Sequence, residues 1–289
     1  MYNIRAIVLY QSAYRSEALE IGEKLFALTE TQVTFKEVNL NFIPYCSDNI
    51  LFYDEGEKGK FDQIVIIFPV CDYDSEYIFR NLSSIENSDS LVLLVSFPDK
   101  RLMGTPIYPK LQEIYNKAYS VNDDIMLEKA TRYYNIIRKY KSYNFTDADG
   151  SDLHFSRESS VLIDVFNCEL KGTFQLPAGE VFFAIEENSA HGSLYINKKK
   201  YLVEKNILHS LDHNDEYNGL IICEFGLGVN ENIPRCLSLD IAEKSFGTCH
   251  FGFGSNCSFG GKIDADYHFD ITYKSFKFYA DKTLLIKYN

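Results

Sequence analysis

The chain has 289 residues, 46% of them hydrophobic and 24% charged, with a formal net charge of −12. That length can bury one large core or two modest ones, and two domains are expected. The acidic balance argues against nucleic acid as a partner, because phosphates need clustered Lys and Arg, and the one basic cluster, Asn197-Lys198-Lys199-Lys200, reads as a solvated turn.

In chain order, Arg5 to Tyr10 is a short apolar run fit for a buried strand, and Ser16 can cap a helix carrying Ala18, Leu19, Ile21, Leu25 and Phe26. Val33 to Val38 alternates and is β-branched, and Asp62–Pro69 and Ser90–Val95 are two further strand candidates, joined by a short helix over Tyr77–Leu82. Continuous apolar strands separated by helices predict an α/β amino-terminal domain with a mainly parallel sheet over residues 1–120. No glycine-rich phosphate loop follows the first strand, so a dinucleotide site is not expected.

Ile125 to Tyr140 has helical spacing of apolar residues, and the polar stretch Thr146–Asp152 breaks it. From Leu153 onward short strands alternate with glycine turns, at Val161–Phe166, Gly192–Ile196, Tyr201–Val203, Leu220–Cys223, Thr248–Phe253 and from Tyr267 to Ile286, with a helix over Pro234–Phe246. Residues 121–289 are thus expected to form a β-rich domain. No apolar run approaches the roughly 18 residues of a membrane span. Met1 to Arg5 runs straight into a strand-like segment without a signal peptide, and the seven cysteines show no paired spacing, so no membrane association and a cytoplasmic location are expected.

Five side chains in the second half are candidates for chemistry. Glu180 follows a Pro-x-Gly turn in Leu176-Pro177-Ala178-Gly179-Glu180-Val181-Phe182, at the mouth of a strand. Glu224 ends an apolar run and is followed by Gly226 and Gly228, which permit close backbone approach. His250 shares a strand face with Thr248 and Gly252, whose small side chains leave room for its ring. His268 and Asp270 are two residues apart, so a strand presents both to one face. Each alone has an ordinary structural explanation; a buried carboxylate must nonetheless be paired, protonated or metal-bound.

Together the segments Gly-Ser-Asp-Leu (150–153), Leu-Pro-Ala-Gly-Glu-Val-Phe (176–182), Glu-Phe-Gly-Leu-Gly (224–228), Glu-Lys with Gly-Thr-Cys-His (243–250), Gly-Gly (260–261) and His-Phe-Asp (268–270) resemble the aminopeptidase T-like metallopeptidases and their 2,5-dihydroxypyridine dioxygenase relatives, over about residues 125–289. The resemblance implies an aminopeptidase T-like metal-binding domain. In the peptidase version, Glu180, Glu224, His250, His268 and Asp270 would hold two divalent ions (zinc, cobalt or manganese) that activate water against a peptide substrate, with Glu180 bridging or acting as base. In the dioxygenase version His250, His268 and Asp270 would hold one iron(II) and act on a small-molecule substrate. A third possibility is a repurposed member that modifies or binds a precursor peptide in natural-product biosynthesis. The resemblance also implies a homodimer, or a heterodimer with a related chain. The sequence departs from the peptidase pattern at Cys257, where those enzymes carry a tyrosine; a thiol is a weak hydrogen-bond donor and does not replace a phenol. His154, His209 and His213 read as surface or structural, Cys249 as core, and Tyr267 and Tyr273 as residues that can line a pocket beside the His-Asp pair.

Overall fold

The computed structural model describes residues 4–10, 15, 19, 32–37, 63–70, 91–96, 98, 102–121, 123–165, 172–212, 214–235 and 241–289. The chain divides into two compact units, one of Met1–Tyr115 with Phe166–Pro177, the other of Asn116–Val165 with Ala178–Asn289. In the first unit β1 (Ile4–Tyr10), β2 (Gln32–Glu37), β3 (Gln63–Val70), β4 (Leu91–Ser96) and β8 (Gly172–Leu176) form a five-stranded sheet in the order β2-β1-β3-β4-β8. Its strands pair in parallel.

An α/β chain built on a mainly parallel sheet does not describe this protein. The described residues are mostly β-sheet: two of the three sheets, of seven and of five strands, are antiparallel, and only two α-helices are described, α1 (Tyr108–Tyr119) and α2 (Asp123–Ile137). The reason is that an apolar run marks a strand covered on both faces, whatever covers it. Segments that suggested parallel β/α alternation are joined by stretches outside the described residues, including the helix expected over Tyr77–Leu82 and most of the one after Ser16. The helix expected over Pro234–Phe246 is also not found: its described part holds a three-residue 3-10 turn, Ala242–Lys244, and residues 236–240 lie outside the described residues.

The seven-stranded sheet of the second unit runs β12 (Ile207–His209), β11 (Lys199–Glu204), β10 (His191–Ile196), β6 (Asp152–Ser156), β5 (Ser142–Asp147), β16 (Phe276–Ala280) and β17 (Thr283–Tyr288). The five-stranded one runs β15 (His268–Tyr273), β14 (Cys249–Gly254), β13 (Ile222–Gly228), β9 (Glu180–Ala184) and β7 (Leu162–Asp164). Phenylalanines fill the space between them. Phe225 of β13 stacks on Phe278 of β16 with ring centroids 4.5 Å apart, and Phe251 of β14 meets Phe145 of β5 edge-on at 5.0 Å. Phe183 of β9, with Phe155 of β6 and Tyr143 of β5, completes the cluster. These rings are almost wholly buried, and edge-on or offset contacts at such distances are the favoured aromatic geometries.

Strand alternation then decides the other face. With Phe183, Phe225 and Phe251 committed to the core, the residues before them, Phe182, Glu224 and His250, must point away from it. Register places Glu224, Gly252 and Asp270 in one row across β13, β14 and β15, and Phe182, Gly226 and His250 in the next row. Asp164, Glu180 and Gly228 form a third. The lining of the candidate site is therefore the far side of the sheet whose near side is the aromatic core.

A candidate metal centre of carboxylates and imidazoles

Each of the five side chains singled out above is placed on this face. Glu180 opens β9 immediately after the turn at Gly179, which has φ +140° and whose N–H donates to the carbonyl of Asp164 at 2.9 Å. A Cβ on Gly179 would lie 2.6 Å from that of Asn230, so the turn is set tightly against the next segment. Glu224 sits just past a register shift between Ile222 and Glu224. Glu180, Glu224 and His250 are buried, while His268 and Asp270 keep about a fifth of their side-chain surface exposed, 20% and 23%. The site is open on the β15 side.

The glycines make the space. A Cβ on Gly226 would come within 2.2 Å of His250 Cε1, and one on Gly252 within 2.7 Å of Glu224 Cβ and 3.1 Å of Asp270 Oδ1. Gly228 admits backbone instead: a Cβ there would lie 2.1 Å from the carbonyl oxygen of Ser245 and 2.6 Å from that of Glu243. The 3-10 turn thus lies directly on β13. Asn230 N–H donates to the Lys244 carbonyl, and Thr248 Oγ1 donates to the carbonyls of Ala242 and Ser245.

Glu224 occupies the centre. Its Oε1 is 3.3 Å from His250 Nε2 and its Oε2 is 3.3 Å from His268 Nε2, so one carboxylate faces both rings with separate oxygens. Glu180 Oε2 lies 3.4 Å from His250 Nε2, and Asp270 Oδ1 lies 3.9 Å from His268 Nε2. Two donor groups result, Glu180/Glu224/His250 and Glu224/His268/Asp270, with the ligand atoms in each within 4.8 Å of one another. Glu224 is the member they share.

Three observations bear on whether this arrangement suits cations. Asp270 Oδ1 is buried and accepts no hydrogen bond, and an acceptor left unmade in this way is costly unless a charge meets it. His268 Nδ1 lies 2.8 Å from the carbonyl oxygen of Ser255. That oxygen can only accept, so the proton sits on Nδ1 and the lone pair of the neutral ring is at Nε2, the usual outer-shell arrangement of a metal-binding histidine. Finally, the site buries four carboxylates, Asp164, Glu180, Glu224 and Glu243, and one ammonium, Lys244, which meets all of them but Glu224. Buried carboxylates in excess of cations call for protons or metal ions. The donor set fits divalent ions.

Without ions, protons provide the balance. Burial lowers the pKa of His250, but Asp270, Glu224 and Glu180 outweigh it and raise it to about 9. His268 is likewise held well above its ordinary value against burial, by Cys223, Glu224 and Asp270. Burial raises Glu224, yet hydrogen bonds from His250 and His268 bring it down to about 2. Asp270 is raised by burial, opposed by both imidazoles.

Lys244, Asp164 and Glu243 were not picked out from the sequence by role. Lys244 Nζ is 2.5 Å from Glu180 Oε1, 3.3 Å from Asp164 Oδ2 and 3.9 Å from Glu243 Oε1. Burial lowers the pKa of this ammonium, and Glu180, Asp164 and Glu243 outweigh that and hold it above the ordinary lysine value. Burial raises Asp164 to about 7 and Glu243 to about 8, in both cases against the pull of Lys244. The available signal was a charge inside an apolar run, Asp164 in Val161–Phe166, where a partner is obligatory; Lys244 and Glu243, adjacent in Ile-Ala-Glu-Lys-Ser-Phe (241–246), carried no such signal.

Other residues sit elsewhere. Cys257 is exposed in a 3-10 turn, its thiol 3.3 Å from the carbonyl oxygen of Ile263. Neither flanking tyrosine offers its hydroxyl to the five: Tyr273 donates to the carbonyl of Tyr195, and Tyr267 accepts from the Ile221 N–H. Cys249 is buried on the core face, His154 and His209 are exposed, and His213 lies outside the described residues. Cys223 lies 3.7 Å from His268 Nδ1, with burial pushing its thiol up to about 11 against the pull of His268.

No family model matches the chain, and comparison with characterised proteins by sequence finds no match. By structure the chain is similar to 2,5-dihydroxypyridine dioxygenase from Pseudomonas putida, at 17% identity and a TM-score of 0.68, over 99% of this chain and 90% of that one. It is also similar to wild-type AmpT from Thermus thermophilus, at 13% identity and a TM-score of 0.60, over 99% of this chain and 94% of that one. The resemblance carried by the LPAGEVF and GTCH segments is thus borne out as a shared fold. At such identities the likeness extends to fold alone.

Proposed function

We propose that the protein is a divalent-metal hydrolase that acts on a peptide or amide bond. The observation that carries this reading is Glu224, with one carboxylate oxygen toward each imidazole. Such a carboxylate suits two neighbouring cations, one held with Glu180 and His250, the other with His268 and Asp270. Zinc, cobalt and manganese are compatible with these nitrogen and oxygen donors. Bound ions would supply Lewis acidity and a water of lowered pKa. In this reading the bridging position belongs to Glu224, and Glu180, whose Oε1 is held by Lys244, serves as a ligand of one ion. The substrate enters from the β15 side, where His268 and Asp270 meet solvent. AmpT, one of the proteins of similar fold, supports this choice.

The dioxygenase reading draws on the similarity to 2,5-dihydroxypyridine dioxygenase. It asks for His250, His268 and Asp270 around one ferrous iron, whereas among the described residues the two imidazoles fall in different donor groups with Glu224 between them. Pairing with a second copy or a related chain belongs to the hydrolase reading as well.

Elemental analysis of protein purified without chelator tests the proposal. About two zinc, cobalt or manganese ions per chain, with release of free amine from peptide amides, is the expected result. One ferrous ion per chain with oxygen uptake overturns it, and protein that takes up no metal points instead to a peptide-binding role.

A further inference from the structure

The two donor groups differ in what stands behind them. The ion-pair partners of Glu224 and Asp270 are imidazoles, which can give up their protons. Glu180 is paired in addition with a fully buried ammonium, 2.5 Å from its Oε1, and that ammonium is itself held by Asp164 and Glu243. The 3-10 turn that carries Lys244 is locked onto β13 through Gly228, Asn230 and Thr248, so the charge is fixed in place. Asp164 shares the load unequally: its Oδ2 meets Lys244, while its buried Oδ1 accepts no hydrogen bond.

We propose that Lys244 is a positioning residue that makes the two donor groups unequal as cation sites, so that Glu224/His268/Asp270 fills first and Glu180/Glu224/His250 second and more weakly. The proposal rests on the two-ion reading above. Lys244 occupies one of the two oxygens of Glu180, leaving Oε2 for a cation beside His250. It also places a fixed positive charge next to that group, whereas among the described residues no lysine or arginine is paired with the other. Two like charges a few ångströms apart in a partly screened interior repel strongly enough to separate two affinities by an order of magnitude or more. Asp164 moderates the effect by drawing the ammonium away from Glu180.

Titration of the metal-free protein with manganese or zinc, followed by calorimetry and by elemental analysis after equilibrium dialysis, measures the two steps. The wild-type chain is expected to fill in two steps at least about tenfold apart, and Glu180→Gln to remove the weaker step alone. Lys244→Met should tighten the second step by about tenfold, so that the steps merge. Asp164→Asn should act in the opposite sense, weakening the second step by at least about threefold through a stronger hold of Lys244 on Glu180. In both variants the first step stays put. The visible spectrum of the cobalt-loaded protein supplies a signature independent of stability: the first and second equivalents should add different absorption in the wild-type chain and the same absorption in Lys244→Met, where both groups fill together.

A merely structural lysine predicts a different pattern, with Lys244→Met weakening both steps along with the melting temperature. That result, or an Asp164→Asn variant affecting both steps alike or neither, overturns the proposal. If Lys244→Met does not fold, Asp164→Asn decides. Wild-type protein that binds fewer than two ions defeats the two-ion reading itself; two ions bound with equal affinity defeat only the role given to Lys244.

Discussion

Glu224 is the residue on which both halves of the centre depend. Its two oxygens serve different histidines, and its carboxyl stays ionised because His250 and His268 overcome the effect of burial. Glu224→Gln keeps the shape and removes the charge. The buried imidazoles then lose their common anion, and each donor group loses its shared member. Uptake of both ions should be lost in Glu224→Gln, and hydrolysis should fall by more than the roughly 10–100-fold typical of outer-shell partners. Glu180→Gln, by contrast, should retain one ion. Equal metal content in the two variants, measured side by side, would count against Glu224 as the shared ligand. The sequence held Glu224 in view because a carboxylate closes an apolar run there. It did not reveal which glutamate would be central, since Glu180 and Glu224 look alike until the register of β9, β13 and β14 is known. Tyr267 and Tyr273 show the converse: closeness in sequence to His268 and Asp270 suggested a lining, and their hydroxyls are engaged elsewhere with Ile221 and Tyr195.

At the scale of elements, the site is a consequence of strand alternation. In β13 and β14 alternate residues, Phe225 and Leu227 or Cys249, Phe251 and Phe253, are buried on one face, and the intervening positions are Glu224, Gly226 and Gly228, or His250, Gly252 and Gly254. The period-two pattern around His268-Phe269-Asp270 was legible for this reason, as was the meaning of the glycines as room for close approach. Less legible was which approach each glycine serves: Gly226 clears an imidazole and Gly228 a turn of backbone. That difference is testable. Gly226→Ala should displace the His250 ring and weaken the ion site it shares with Glu180, with an overpacking cost of about 1–3 kcal/mol in unfolding free energy. Gly228→Ala meets rigid carbonyl groups of Glu243 and Ser245 and should cost more stability than Gly226→Ala, moving Lys244 off its partners. Chemical denaturation of the two variants, with metal content measured on the same samples, ranks them; the reverse ranking would mean that the turn yields more readily than the ring. The α/β expectation failed at this same scale. Apolar runs identify covered strands without saying what covers them, and the described residues hold two antiparallel sheets beside the parallel one and only two α-helices.

For the molecule as a whole, the charge arrangement couples stability to pH and metal. The metal-free protein holds His250 with a pKa of about 9, above the ordinary 6.5, so the protonated ring stabilises the fold fully below about pH 6.5 and progressively less as pH rises toward 9. Glu243, raised to about 8 chiefly by burial, acts in the same direction: the folded chain keeps a proton there that the unfolded chain releases near pH 4.5, so stability falls as pH rises between the two. Glu224, lowered to about 2, stabilises the fold above its ordinary pKa and withdraws that contribution only as pH falls toward 2. Between pH 6.5 and 9 the metal-free protein should therefore lose melting temperature. Ions compete with the imidazole protons, and their binding strengthens as those protons leave. With saturating zinc or manganese the decline should be offset, and the difference in melting temperature between metal-loaded and chelator-treated protein should widen steadily from pH 6.5 to 9. A difference that narrows over this range would mean that the imidazoles are not where the ions bind.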